Sequence, residues 1–131
     1  MTETASHEGT AVIVVGYSAK PEGKAALARA LDEAELRSAR LVVVHTSPDG
    51  EVDELTERLG HSSVAYEVRQ APDALDPAEE LISVAEATSA EFIVIGLRRR
   101  SPVGKLLLGS NAQRVLLDAS CPVLAVKAEA V

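Results

Sequence analysis

The apolar positions of the chain fall into short runs that predict five β-strands. Four runs are wholly apolar, and their Val, Ile and Leu content is typical of parallel strands buried on both faces. They cover residues 11–15, 41–44, 92–95 and 122–126. A fifth run, residues 63–69, alternates polar and apolar side chains, which indicates an edge strand with one face in water.

Between these strands, apolar residues recur at the spacing of amphipathic helices. The helical segments cover residues 22–36, 52–59, 77–89 and 112–117. Proline suits the first position of a helix, because its missing N–H would have no partner there. We therefore expect helices to begin at Pro21 and at Pro77, with the side chain of Asp76 capping the second.

Strands and helices alternate strictly, which predicts one α/β domain with a doubly wound parallel sheet and helices on both faces. A chain of 131 residues suits a single domain. Residues 1–10 are polar, and we interpret them as a flexible tail before a domain of residues 11–131. Folds of this class bind ligands at the carboxyl ends of their strands, where the chain reverses direction.

The loop of residues 97–108 lies at such a strand end and carries positive charge. Arg98, Arg99, Arg100 and Lys105 place four cations within eight residues of a chain whose net charge is −7. The planar fork of arginine can bond phosphate oxygens in pairs. This local reversal of sign therefore favours an anionic ligand.

Glycines stand at both ends of this loop. Gly96 and Gly109 lack Cβ atoms, so a ligand can approach the backbone closely. Ser110 or Asn111 can cap the next helix, whose first N–H groups and dipole attract phosphate. The alternative is equally open: such glycines also occur without a ligand, and the arginines can lie in solvent or pair with acidic side chains.

The same residues resemble the universal stress protein family, within the adenine nucleotide alpha-hydrolase-like superfamily. That family carries a glycine, two residues, a second glycine, nine residues, then glycine and serine or threonine. This sequence has Gly96, Arg99 in place of the second glycine, and Gly109-Ser110 at matching spacing. The first strand and helix and the closing run of residues 120–126 are also similar, so the resemblance extends from residue 11 onward.

The resemblance implies a Rossmann-like, five-stranded parallel sheet of order 3-2-1-4-5, with the crevice between the loops after strands one and four. It implies a stress-response protein that binds ATP, with Mg²⁺, or a related nucleotide or phosphate. It also implies a homodimer that pairs through the fifth strand, Pro122 to Val126. The candidate nucleotide-binding residues are Gly16, Tyr17, Ser18, Thr46, Ile95, Gly96, Arg98, Arg99, Gly109, Ser110 and Asn111.

Two departures from the family pattern leave a second hypothesis open. Ser18 stands where nucleotide-binding members usually have an aspartate, and a serine supplies no carboxylate for two hydroxyls. Arg99 places a large side chain that either lines or fills the phosphate site. The alternative is a dimeric regulatory or adaptor protein whose degenerate pocket binds no nucleotide. A third possibility is a pocket for another anion, such as a cyclic nucleotide or inorganic phosphate.

Composition argues against several other classes of protein. Aromatic residues make up 2% of this acidic chain, whereas nucleic-acid binding needs a basic surface and, for single strands, aromatic platforms. No apolar run approaches the ~20 residues of a membrane span. The polar start of the chain has no signal-peptide core, so we expect a cytoplasmic protein.

Motifs for catalysis and metal binding are scarce, and we predict no catalytic or metal-ligating residue. Gly104-Lys105 is followed by leucine rather than by the serine or threonine of a Walker motif. At most, slow ATP hydrolysis would accompany nucleotide binding. His45 is expected to be buried and hydrogen-bonded, and Cys121 to be a small buried hydrophobe rather than a reactive thiol.

Overall fold

The computed structural model describes residues 10–45, 49–71, 76–99, 106–107 and 109–128, so all but the last residue of the predicted tail lies outside it. The strands are β1 (Val12–Tyr17), β2 (Arg40–His45), β3 (Tyr66–Gln70), β4 (Phe92–Arg99), β5 (Leu106–Leu107) and β6 (Val123–Lys127). The helices are α1 (Pro21–Arg37), α2 (Asp49–Gly60), α3 (Pro77–Thr88) and α4 (Ser110–Asp118).

Five of the strands form a parallel sheet of order β3-β2-β1-β4-β6, which confirms the predicted 3-2-1-4-5 order. Ile13 of β1 pairs with Leu41 of β2 on one side and with Phe92 of β4 on the other. The chain therefore reverses direction between β1 and β4. This reversal leaves a crevice at the carboxyl ends of those two strands.

Side chains that alternate along β1 divide the core into two layers. Ile13 and Val15 pack in a buried cluster that includes Leu27 of α1 and Leu55 of α2. Val14, on the opposite face of the sheet, belongs to a second cluster built from α3 and α4. Helices thus cover both faces, as predicted.

The strand that leads into the glycine loop is longer than the sequence predicts. We expected β4 to end at Gly96, but the strand continues to Arg99. Gly96 and Leu97 still pair with β6, and the next two residues pair antiparallel with Leu106–Leu107. Because these partners satisfy the backbone groups, the strand persists beyond its apolar run.

The helix starts follow the sequence at two positions and depart from it at a third. Pro21 is the first residue of α1, and the side chain of Asp76 accepts a hydrogen bond of 3.2 Å from the N–H of Ala78 in α3. Helix α4, however, has Gly109 at its N-cap, with no side-chain hydrogen bond. The prediction that Ser110 or Asn111 caps this helix is therefore wrong.

Two smaller expectations have mixed outcomes. His45 is buried, as expected, and its Nδ1 atom has no hydrogen-bond partner in the described part of the chain. Cys121 is only partly buried, at the margin of the second cluster, so the expected burial is incomplete, and this partial burial raises the pKa of its thiol. None of the described helices is long and apolar enough to cross a membrane.

Candidate functional site

The crevice at the carboxyl ends of β1 and β4 contains a cavity of about 200 Å³ with a mainly apolar wall. Val44 of β2 and Ile95 of β4 contribute from the sheet, while Leu81 of α3 and Val115 of α4 contribute from the helices. Gly16 and Tyr17 line the same cavity at the end of β1. An apolar wall of this kind suits a flat, weakly polar group.

A second cavity of about 350 Å³ adjoins the first and is more polar. Lys20 and Arg98 line it with positive charge, and Gly109 and Ser110 line it from the start of α4. Five residues line both cavities, so the two form one continuous crevice. They are Ser18, Glu22, Gly96, Asn111 and Ala112.

The N-terminal turn of α1 is wedged between the loop after β1 and strand β4. A Cβ atom built on Gly96 would overlap the backbone carbonyl of Glu22, and one built on Gly23 would overlap the backbone and the hydroxyl of Ser18. Both glycines therefore allow close backbone packing. The prediction that the missing Cβ of Gly96 makes room for a ligand is wrong, because α1 fills that space.

The start of α4 differs, because it opens into the polar cavity. A Cβ atom on Gly109 would meet no atom of the described chain within 4 Å. The Gly109 carbonyl accepts the hydrogen bond of the Gln113 N–H at 3.0 Å, while no side chain caps the helix. The first N–H groups of α4 are thus free to bind an anion, which the positive end of the helix dipole also favours.

One ion pair lies at the mouth of the crevice. The Nε atom of Arg98 is 3.7 Å from Oε2 of Glu22, and their side chains are 43% and 17% exposed. Arg98 thus pairs with an acidic side chain, as one of the two sequence-based interpretations anticipated. The pair is too long for a hydrogen bond, so the guanidinium keeps its donors for another acceptor.

The comparisons with known proteins agree with this architecture. Residues 10–127 match the family model described as the universal stress protein family. The chain belongs to the universal stress protein family. A universal stress protein of Mycolicibacterium smegmatis is 45% identical over 127 residues, which cover 88% of this chain and 97% of that relative.

Solved structures of the family confirm the predicted fold. A universal stress protein from Archaeoglobus fulgidus is 31% identical with a TM-score of 0.67, over 90% of this chain and 98% of that one. A structure of a universal stress protein from the same organism in complex with dAMP is 25% identical with a TM-score of 0.62. It covers the same shares, 90% and 98%.

In the present chain, nine of the eleven candidate residues line the crevice. They are Gly16, Tyr17, Ser18, Ile95, Gly96, Arg98, Gly109, Ser110 and Asn111. Thr46 lies outside the described residues, and Arg99 lies at the end of β4 opposite Leu106. The structure thus brings most of the set together, and its role in binding a nucleotide stays a prediction.

Sequence reasoning missed much of the crevice wall of this universal stress protein. Pro77, Ala78 and Leu81 line it from α3, yet their pattern is that of any helix packed on a sheet. Lys20 and Glu22 flank the loop after β1, and their place beside that loop was the available signal. The packing of α1 against β4 places Glu22 on the crevice wall, while Lys20 lines the polar cavity from an exposed position.

An arginine on α4 connects the two helices that form the far wall. Arg114 lies 3.4 Å from Oδ2 of Asp76 and 3.5 Å from Oε2 of Glu79, both near the start of α3. It also lies 3.3 Å from Oδ2 of Asp118 on its own helix. Arg114 therefore helps to fix the distance between the first turns of α3 and α4, where both helices face the crevice.

Proposed function

We propose that this universal stress protein binds an adenine nucleotide, ATP or a related one, in the crevice between β1 and β4. The observation that supports this best is the division of the crevice into an apolar and a polar compartment that join. Val44, Leu81 and Ile95 offer an apolar wall for the base. The polar compartment offers the first turn of α4 for phosphate.

Positive side chains support the phosphate end of this proposal. Lys20 and Arg98 both line the polar cavity, and Ser110 lines it as well. A guanidinium or an ammonium binds phosphate oxygens through charge-assisted hydrogen bonds. We assign the phosphates to this compartment, with Gly109 leaving space for them at the helix start.

Among the described residues, no three His, Cys, Asp or Glu side chains group together as a metal site. We propose that Mg²⁺, where it is present, enters the site with the phosphates of ATP. Mg²⁺ commonly keeps several waters and takes only one or two protein ligands in nucleotide sites. The similar Archaeoglobus fulgidus protein in complex with dAMP supports a nucleotide ligand for this chain as well.

A second candidate function is a dimeric adaptor or regulatory protein that uses no nucleotide. The Glu22–Arg98 pair favours it, since Arg98 already has a carboxylate partner in the crevice. In the described part of the chain β6 pairs only with β4, which leaves an edge of four half-buried residues, Val123 to Val126, followed by the exposed Lys127. We propose that this edge pairs with its counterpart in a homodimer, in either function.

The deciding experiment is native mass spectrometry of the purified protein, followed by calorimetric titration with ATP, with and without Mg²⁺, and with AMP. We expect a dimer that carries or saturably binds nucleotide. A dimer that binds neither compound at millimolar concentration would contradict the nucleotide proposal and favour the adaptor. A monomer would contradict the proposed pairing through β6.

A further inference from the structure

Among the residues that the structure describes, none donates a hydrogen bond to the carboxylate of Glu22. Its side chain is only 17% exposed, and among the described residues its polar partner is Arg98, 3.7 Å away. That separation is too long for a hydrogen bond. Because an ionised carboxylate has about four acceptor positions, Glu22 can take further donors from a ligand.

Packing against β4 fixes the backbone and the Cβ atom of Glu22. The backbone carbonyl of Glu22 occupies the space of the missing Cβ at Gly96, and the Cβ of Glu22 is 3.0 Å from that same position. The stem of the side chain is therefore held against β4. Glu22 is thus a mostly buried residue of the crevice wall, although it lies in the first turn of a helix, where acidic side chains are usually solvated.

The position of Glu22 along the crevice is also specific. It lines both the apolar cavity and the polar cavity, together with Ser18 and Gly96. In a nucleotide, the ribose is the part that connects the base to the phosphates. If base and phosphates occupy the two cavities, the ribose lies at their junction, next to Glu22.

The charge of Glu22 decides which ligand groups it accepts. A carboxylate repels phosphate oxygens and attracts hydroxyl donors. We infer that Glu22 accepts hydrogen bonds from the ribose hydroxyls, and that the crevice therefore selects ribonucleotides over 2′-deoxynucleotides and 3′,5′-cyclic nucleotides. This inference rests on the proposed function, since it names a specificity of the same site.

A purely structural role for the Glu22–Arg98 pair gives a different expectation. Loss of the pair would then change the affinity for every nucleotide by a similar factor. Recognition of the ribose changes the ratio of affinities between nucleotides that differ only in their hydroxyls. The ratio of two dissociation constants is therefore the quantity to measure.

The experiment compares AMP, 2′-deoxy-AMP and 3′,5′-cyclic AMP by calorimetry, in EDTA so that no metal ion bridges carboxylate and ligand. We expect the wild-type protein to bind AMP about tenfold more tightly than 2′-deoxy-AMP, as one hydrogen bond to a charged group predicts. Glu22→Gln should lower this ratio severalfold, and Glu22→Ala should bring it to about one. Cyclic AMP lacks the proton on its 3′-oxygen and also one phosphate charge, so its test is the change between variants: its affinity relative to AMP should rise in Glu22→Gln.

Glu54→Gln is the matched control. Glu54 lies on α2 and pairs with Lys24 of α1 at 3.2 Å, and its side chain is 69% exposed. Because Glu54 lines neither cavity, the ratio of the AMP and 2′-deoxy-AMP dissociation constants should not change. Equal affinities for AMP and 2′-deoxy-AMP in the wild-type protein would overturn the inference and leave the proposed function standing. An unchanged ratio in Glu22→Gln would do the same. Absence of binding by all three nucleotides would overturn the proposed function and the inference together.

Discussion

Gly96 and Gly109 belong to the same spaced motif, yet their surroundings are opposite. At Gly96 the space of a side chain is already filled by the backbone of Glu22 in α1. At Gly109 no atom of the described chain lies within 4 Å of that space, and the residue faces the polar cavity. One glycine brings a helix and a strand together, while the other leaves room beside a helix start.

The difference shows that one sequence motif can combine two physical requirements. In the sequence, both positions are simply glycines, one at the end of a strand and the other at the start of a helix. The spacing of the motif therefore predicts the same role for both. Close backbone packing and open space are properties of the tertiary structure. A substitution at each position separates them, because the first should affect folding and the second should affect binding.

The largest effect is expected from Gly96→Ala. The new methyl group would overlap the backbone of Glu22, so α1 and β4 must move apart. We expect a loss of about 3 kcal/mol or more in the free energy of unfolding, at the upper end for overpacked cores. Urea denaturation followed by circular dichroism measures it.

Gly16→Ala is the control for this substitution. Gly16 also lies in a central parallel strand, but its Cβ would meet the Cδ1 atom of Leu81 at 3.0 Å, at the end of a flexible side chain. The loss of stability should be clearly smaller than at Gly96. Equal losses in the two variants would show that contact with the α1 backbone is not what Gly96 provides.

The next effect is expected from Gly109→Val, and it should appear in binding rather than in folding. The valine side chain would enter the space that we assign to phosphate, so nucleotide binding should be abolished while the dimer persists. The free energy of unfolding should fall by about 1 kcal/mol at most, because valine is a poorer N-cap than glycine. Calorimetric titration and urea denaturation of the same preparation test both parts.

Gly60→Val provides a matched control for the open position. Gly60 ends α2, and its Cβ would also meet no described atom within 4 Å, but it lines neither cavity of the crevice. Nucleotide binding should be unchanged in this variant. Normal binding by Gly109→Val would mean that the open space at α4 is not the phosphate site.

The smallest change in stability and binding is expected from Arg98→Gln, at a position between Gly96 and Gly109 in the sequence. An ion pair as exposed as Glu22–Arg98 contributes about 0.5 kcal/mol or less to stability, so unfolding should hardly change. Nucleotide affinity should fall severalfold through the lost charge, and its dependence on salt should weaken. Arg29→Gln, which breaks the exposed pair with Glu33 on α1, should leave both properties unchanged.

Most of the fold could be predicted from the sequence, because its signals are local. Apolar runs marked the strands, and Pro21 and the Asp76-Pro77 pair marked two helix starts that the structure confirms. The extension of β4 to Arg99 could not be predicted. It depends on backbone pairing with β6 and with Leu106–Leu107, and side-chain polarity carries no signal for such pairing.

The site was predictable only along the two loops that follow β1 and β4. Ser18, Gly109 and Ser110 drew attention by their positions after a strand or before a helix, and they do line the crevice. Leu81 forms part of the opposite wall although it looks like an ordinary core residue of α3. Glu22 was predicted only as the start of a helical segment, and only the tertiary structure shows that it lines the crevice.

The short antiparallel pairing between the end of β4 and β5 also bears on engineering. Arg98 pairs with Leu107 and Arg99 with Leu106, so Arg99 and Leu106, the chain ends on either side of positions 100–105, lie opposite each other. The entropy cost of a closed loop grows only slowly with its length. Foreign peptides inserted between these ends should therefore leave Gly109 and the start of α4 in place, which makes this segment a suitable position for a tag or a reporter.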